Sequence, residues 1–140
     1  MKFSLSAATC TLALLTAQPV FGQDVWFGTT TPKNGDSKGI YHATFDPESG
    51  TLSRASLAAE IRGPGFLALH PKLDVLYACA GVEGGSGVAA FAIKDGGKLE
   101  LMNTQVIGDG GGAHLAVHPS GKMLITAQYG GGSTAVFPDG

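Results

Sequence analysis

The chain has 140 residues, of which 44% are hydrophobic and 14% charged, and its formal net charge is −2 at pH 7. This composition is typical of a globular protein and excludes a long disordered tail. The chain carries no excess of basic residues, and this charge composition argues against a nucleic-acid partner. The 22 glycines are scattered through predicted turns without a collagen-like period, so they mark connections between strands.

Residues 1–22 have the three regions of a secretory signal peptide. Lys2 supplies the positive start, residues 7–17 form an apolar core, and Val20-Phe21-Gly22 form a small-residue exit. The apolar run is far short of the ~20 residues that span a bilayer. We therefore expect cleavage after residue 22, a net charge of −3, and a secreted or periplasmic mature chain with no membrane anchor. A first strand or a buried helix is the alternative for this segment.

Cysteine usage agrees with that interpretation. Cys10 lies in the predicted signal peptide, which leaves Cys79 alone in an apolar strand. A single cysteine in such a strand is expected to be a small core residue, and it does not indicate a disulfide framework.

An internal repeat predicts the architecture of residues 23–140. Residues 65–91, GFLALHPKLDVLYACAGVEGGSGVAAF, follow the same plan as residues 110–137, GGGAHLAVHPSGKMLITAQYGGGSTAVF. The offset is 48 residues at Leu67 and Leu115, and it falls to 46 at Phe91 and Phe137 because the second glycine loop is shorter. A unit of this length, built from short strands with glycine turns, indicates a β-propeller blade.

A partial copy lies upstream. Residues 25–28 correspond to residues 75–78, and residues 40–52 correspond to residues 88–99. The chain thus supplies three strands of a first blade, four of a second and three of a third. We predict an all-β propeller with four-stranded antiparallel blades, about two and a half of them present. Because propellers need roughly four to eight blades, we expect residues 23–140 to be the N-terminal part of a longer propeller domain.

Two sequence patterns resemble a cofactor site and a metal site, but the structure predicted around each of them does not fit that kind of site. Residues 108–113 match GxGxxA, but the following HLAVHP is too short and too quickly stopped by proline to start a helix, so no nucleotide cofactor is predicted. The same glycines either form an anion-binding concavity or simply turn the chain. On a strand, the Cα atoms of His114 and His118 would lie ~13 Å apart, so no metal site is predicted either.

The repeat also separates the histidines. His70 and His118 occupy the same place in successive copies, each before a proline, which predicts a structural turn. His114 stands where the preceding copy has Phe66, at the start of an innermost strand. Because innermost strands line the central channel of a propeller, where ligands bind, His114 is the candidate functional residue. His42, on a third strand, is predicted to be structural.

The chain resembles the seven-bladed propeller lactonases, which include the bacterial propeller-type 6-phosphogluconolactonases. Three segments carry the resemblance: GPGFLALHPKLDVLYA, GSGVAAFAIKDGGKLELMN and AHLAVHPSGKMLITAQYGGGSTAVFPDG. The resemblance implies a seven-bladed ring and places the family's active-site histidine on His114. The chain departs from the family pattern at Gln128, where Asn is common, at Ala80-Gly81, where Asn-Glu is common, and at Gly112-Ala113, where Pro-Cys often precedes the histidine.

These observations predict a hydrolase that opens a sugar lactone, with His114 as general base and no cofactor. Backbone N–H groups of Gly110, Gly111 and Gly112 are the expected oxyanion donors, and Gln128 joins them as a predicted substrate-binding residue. The arginines of the family's site are expected beyond Gly140, because Arg54 and Arg62 match no such motif.

Two other functions stay open at this point. One is a non-catalytic propeller that binds a ligand or serves as a scaffold, and the other is a muconate-lactonising type of cycloisomerase. Whether the sugar lactone carries a phosphate and whether the protein forms oligomers are also open.

Overall fold

The computed structural model describes residues 22–138, which form eleven strands and one short 3-10 turn at Asp95–Gly97. Nearly the whole predicted signal peptide and the final two residues lie outside this range, so the signal peptide stays a prediction. No helix within residues 22–138 is long and apolar enough to cross a membrane.

The strands form three antiparallel sheets, which we call the first, second and third blades. The first contains β1 (Gln23–Phe27), β2 (Gly39–Asp46), β3 (Thr51–Leu52) and β4 (Ser56–Glu60). The second contains β5 (Arg62–Leu69), β6 (Val75–Val82), β7 (Gly85–Ile93) and β8 (Leu99–Val106). The third contains β9 (Gly112–Val117), β10 (Met123–Gln128) and β11 (Ser133–Pro138).

The all-β propeller prediction is confirmed, with one difference in the first blade. There the outer strand is divided into β3 and β4, which both pair with the same edge of β2. In the complete second blade the strands pair in chain order, from β5 to β8. The inner strands β5 and β9 lie side by side, as neighbouring inner strands of a propeller do.

The turn between the first two strands of a blade is the same in the second and third blades. The N–H of His70 donates to the carbonyl of Val75, and the N–H of His118 donates to the carbonyl of Met123, both at 2.8 Å. This equivalence in hydrogen bonding supports the repeat that the sequence predicts.

The hydrophobic core lies between the blades. Between the first and second blades, Ile40 and Ala58 pack against residues of the second blade, namely Leu76, Ala78, Ala89, Phe91 and Leu99. Between the second and third blades, Cys79 and Val88 pack against Leu115 and Leu124. Each of these clusters buries apolar side chains of two neighbouring blades against one another, which stabilises both blades.

One end of the blades carries the site residues that the sequence predicts, and we call it the upper edge. It is the end at which the inner strands β5 and β9 begin and the second strands β6 and β10 end. The loop of residues 107–111, before β9, and the loop of residues 129–132, after β10, lie at this edge.

Candidate functional site

The two glycine loops at the upper edge pack directly against each other. The carboxylate of Asp109 lies on Gly131, where a Cβ atom would come within 1.9 Å of its Oδ1. Likewise, a Cβ on Gly110 would lie 3.2 Å from the backbone nitrogen of Gly131. A side chain at residue 131 would have to displace the Asp109 carboxylate, and one at residue 110 would press on the backbone of Gly131, so the glycines of residues 130–132 also allow the two loops to pack closely.

His114 lies on β9, opposite Ala127 of β10, and its side chain is exposed. Its imidazole contacts the ring of Phe66 on β5, with the ring centroids 4.9 Å apart and the planes tilted by 58°. The two residues that the repeat aligns are thus neighbours in space. Phe66 supports one side of the imidazole, and enough of the ring stays open to reach solvent or a ligand.

A cavity of about 310 Å³ opens at the upper edge beside the start of β9. Two of the predicted site residues, Gly111 and Gly112, line it, and His114 follows two residues later on the same strand. Gly110 and Gln128 do not line it, nor does His114 itself. The remaining lining residues are Arg62, Gly63, Cys79, Ala80, Gly81 and Ser86.

A second cavity, of about 330 Å³, lies in the gap between the second and third blades. It contains none of the predicted site residues and is mainly apolar, with lining residues such as Val75, Val88, Val117 and Phe137. Its position between the blades makes it a packing gap, whereas the cavity at the upper edge combines polar and charged groups.

Gln128 has a different environment from the one that its predicted role requires. Its side chain is 2% exposed, Nε2 donates to Thr126 Oγ1, and Oε1 accepts a 3.2 Å hydrogen bond from Ser133 Oγ. Both ends of the amide are therefore engaged inside the third blade, and the hydrogen bond from Ser133 joins the end of β10 to the start of β11. The substrate-binding role of Gln128 stays a prediction.

Cys79 forms part of the cavity wall beneath Gly112. A Cβ on Gly112 would lie 2.5 Å from Cys79 Sγ, so a glycine is needed at the start of β9. Burial raises the pKa of the Cys79 thiol to about 11. Because the thiolate is the nucleophilic form, Cys79 is inert near neutral pH, in agreement with the core role that the sequence predicts.

Arg62 is the residue that the sequence analysis missed. It opens β5, pairs with Gly81, and lays its guanidinium across that glycine, where a Cβ would lie 2.2 Å from Nε and 2.8 Å from one terminal nitrogen. The repeat carried a usable signal, since Gly110 stands 48 residues after Arg62 and Tyr129 stands 48 after Gly81. The comparison that singled out His114 would also have singled out Arg62.

The other histidines hold the scaffold together. His42 Nε2 lies 2.7 Å from Asp24 Oδ1, and its ring packs against Trp26 and Gly97. Trp26 Nε1 in turn donates to the Gly97 carbonyl, which ties the first blade to the second.

The side chain of His70 ties the second blade to the third. Its Nδ1 accepts hydrogen bonds from the N–H groups of Lys72 and Leu73, at 3.0 and 2.9 Å. This arrangement places the proton on Nε2, which donates to the carbonyl of Gly121 in the third blade at 3.1 Å. In the equivalent turn, His118 Nδ1 accepts from the N–H of Ser120 at 3.1 Å, and this ring is exposed.

No group of three or more His, Cys, Asp or Glu side chains in residues 22–138 is arranged to hold a metal ion. Polar groups at the upper edge include an imidazole, a guanidinium, a hydroxyl, the carboxylate of Asp109 and the backbone of a glycine loop. Together with the strand order, this edge defines the protein as a β-propeller whose candidate site lies where two inner strands begin.

Comparison with known proteins identifies the family. The family described as "Lactonase, 7-bladed beta-propeller" matches residues 24–139, and the chain belongs to it. The 6-phosphogluconolactonase of Bacillus subtilis is 35% identical over 114 residues, which cover 81% of this chain and 32% of that protein. The 6-phosphogluconolactonase of Formosa agariphila is 30% identical over 116 residues, or 81% of this chain and 33% of that protein.

Solved structures agree. A Bacteroides fragilis protein provisionally named a 6-phosphogluconolactonase superposes with a TM-score of 0.72 at 34% identity, covering 84% of this chain and 32% of that one. The chain therefore spans about a third of the length of the relatives that it matches.

Proposed function

We propose that the protein is a lactone hydrolase that opens the ester ring of a sugar lactone, with His114 as the general base. The observation that carries the proposal is the position of His114, an exposed imidazole on an inner strand, two residues from a glycine that lines a cavity. Membership of the lactonase family supports the reaction class, and the relatives named 6-phosphogluconolactonase support a sugar lactone.

The chemistry follows from the groups at the upper edge. The imidazole of His114 takes a proton from water as the water oxygen attacks the lactone carbonyl carbon. Negative charge then develops on the carbonyl oxygen, and N–H groups of the loop before β9 are the proposed donors to it. As the intermediate collapses, the ring C–O bond breaks, and the leaving alkoxide takes the proton from the imidazolium to give the hydroxy acid.

The local structure is suited to this role. Phe66 packs against one side of the imidazole, which restricts its rotation, and the exposed side keeps it accessible. Among residues 22–138 no acidic residue lines the neighbouring cavity, and the carboxylate of Asp109, in the loop before β9, lies on Gly131 outside the cavity lining. We also propose that residues 1–22 direct the mature protein out of the cytoplasm, on the basis of their charge and hydropathy pattern.

The test is lactone opening by the full-length protein. Glucono-δ-lactone and its 6-phosphate should both be assayed against the spontaneous hydrolysis rate, by proton release at constant pH. We expect at least one sugar lactone to be opened well above that rate. Opening of none of them would contradict the proposed hydrolase and leave a ligand-binding propeller as the better explanation.

A further inference from the structure

The cavity at the upper edge contains one formal charge, and it is positive. Among residues 22–138, Arg62 is the only charged residue that lines it. Within residues 22–138 the ion pairs are Lys38 with Glu60, His42 with Asp24, and Lys94 with Glu100, so the Arg62 guanidinium has no acidic partner there. A guanidinium without an internal counter-charge is available to an anion from solvent.

Other donors surround the same space. Ser86 lines the cavity next to the glycine loop, where a Cβ on Gly111 would lie 3.9 Å from its Oγ. Gly111 and Gly112 contribute backbone without side chains, which lets a ligand approach the main chain closely. The volume of about 310 Å³ is at the lower end of the range for small-molecule sites, as a monosaccharide-sized ligand requires.

We infer that Arg62 binds an anionic substituent of the substrate, a carboxylate or a phosphate, and so determines the specificity of the site for charged lactones. This inference rests on the proposed lactone hydrolysis and adds a named residue to it. The planar guanidinium can donate two parallel hydrogen bonds to two oxygens of either anion, an arrangement that a neutral hydroxyl cannot match.

Gly81 makes this position of Arg62 possible. Any side chain at residue 81 would begin 2.2 Å from Arg62 Nε, so the guanidinium would have to move. The backbone of Gly81 does not have a positive φ, so alanine fits its conformation. Gly81→Ala therefore shifts the positive charge without removing it, which separates the effect of position from that of charge.

Four variants of the full-length protein test the inference. Arg62→Gln removes the charge, and Gly81→Ala displaces it. Arg62→Lys keeps the charge but lacks the planar guanidinium that donates two parallel hydrogen bonds. Arg54→Gln is the matched control, because Arg54 is an exposed arginine between β3 and β4 and lies outside the cavity. Each is assayed with neutral glucono-δ-lactone, with its 6-phosphate, and with a glucarolactone that carries a carboxylate.

For the anionic lactone that the parent prefers, Arg62→Gln should lower kcat/KM by roughly 10- to 100-fold, mainly through KM, because a charge-assisted bond is lost. The neutral lactone should lose much less. Arg62→Lys should recover part of the loss, Gly81→Ala should reproduce part of it, and Arg54→Gln should match the parent. Which anionic lactone shows the loss identifies the anion as phosphate or carboxylate, and an equal loss for neutral and anionic lactones would overturn the inference.

A binding measurement separates this inference from the proposed reaction. Inorganic phosphate and glucarate are titrated calorimetrically into the parent, Arg62→Gln and Arg54→Gln proteins. Loss of anion binding in Arg62→Gln alone would support the inference even if no lactone is opened. Equal anion binding by parent and Arg62→Gln proteins would overturn it, whatever the lactone assays show.

Discussion

The second and third blades follow one sequence plan, yet they differ in how many of their faces are covered. In β6 of the second blade, Leu76 and Ala78 pack toward the first blade, while Cys79 packs toward the third. Burial in β10 of the third blade instead alternates strictly, with Leu124 buried and Ile125 43% exposed. Within residues 22–138 the second blade is therefore covered on two faces and the third blade on one.

At the upper edge the same two blades have opposite arrangements of large and small residues. The second blade has Arg62 facing Gly81, and the repeat places Gly110 and Tyr129 at the corresponding positions. Tyr129 is 91% exposed, whereas the Arg62 side chain lies over the partner strand. The residues proposed to be functional thus lie where the two copies differ, and the turn histidines, whose backbone hydrogen bonds are equivalent, lie where the copies agree.

Of the positions at which the two blades differ, Phe66 and His114 should show the largest effect of a substitution, which is on the rate of lactone opening. His114→Phe puts into the third blade the residue that the second blade has at this place, so the fold should tolerate it. Removal of a general base should nevertheless lower the rate of lactone opening by roughly 10²- to 10⁴-fold. The measurement is kcat on the preferred lactone, together with the thermal midpoint of unfolding of each protein.

A matched control is Phe66→Leu, which disturbs the ring contact and keeps the imidazole. It should reduce the rate far less than His114→Phe, since it only loosens the orientation of His114. If His114→Phe opened lactone at the parent rate, the general base would have to be another residue.

How much of this edge the sequence could predict depends on the range of the interactions. The strand order, the turn before each second strand and the position of His114 follow from local patterns and from the repeat. The division of the outer strand of the first blade into β3 and β4 depends on pairing with β2 and has no comparable local signal. The engagement of Gln128 with Thr126 and Ser133 depends in turn on how β10 and β11 pack.

Cys79 and Ala127, which the repeat aligns, should show the next largest effect of a substitution, which is on the free energy of unfolding at high pH. Burial raises the pKa of Cys79 in the folded protein to about 11 from an ordinary value of 9.0, so the unfolded chain loses this proton first. The contribution of the Cys79 thiol to the free energy of unfolding is therefore constant below about pH 9, and it falls as the pH rises toward 11. The shift of about two pKa units corresponds to at most about 2.7 kcal/mol of unfolding free energy.

Cys79→Ala, which puts the residue of the third blade into the second, isolates this contribution from other groups that titrate at high pH. Urea unfolding of both full-length proteins from pH 8 to pH 11 should show the parent losing stability relative to the variant. Two curves that stay parallel over this range would contradict the assignment of the loss to the Cys79 thiol.

Arg62 illustrates a limit of another kind. Its type and position were visible in the sequence, but it matched no arginine motif of the family, and its proximity to Gly81 follows only from the pairing of β5 with β6. A systematic comparison of the copies at every position, rather than at histidines alone, would have identified it. The cavity itself could not be predicted, because it forms between the start of β9 and the ends of strands in the second blade.

The pair His70 and His118 gives the smallest expected effect. His70→Ala removes the acceptor for two backbone N–H groups and the donor to Gly121, in a site that is 8% exposed, where water replaces the lost partners poorly. It should cost about 2 kcal/mol of unfolding free energy. His118→Ala removes an exposed turn contact to Ser120 and should cost about 1 kcal/mol.

Neither change should alter kcat, because both turns lie at the end of the blades opposite the upper edge and its cavity. Urea unfolding of the two variants measures the difference of about 1 kcal/mol. Equal costs in the full-length protein would mean that His118, like His70, donates across to a turn of a following blade, and the two copies would then have the same contacts.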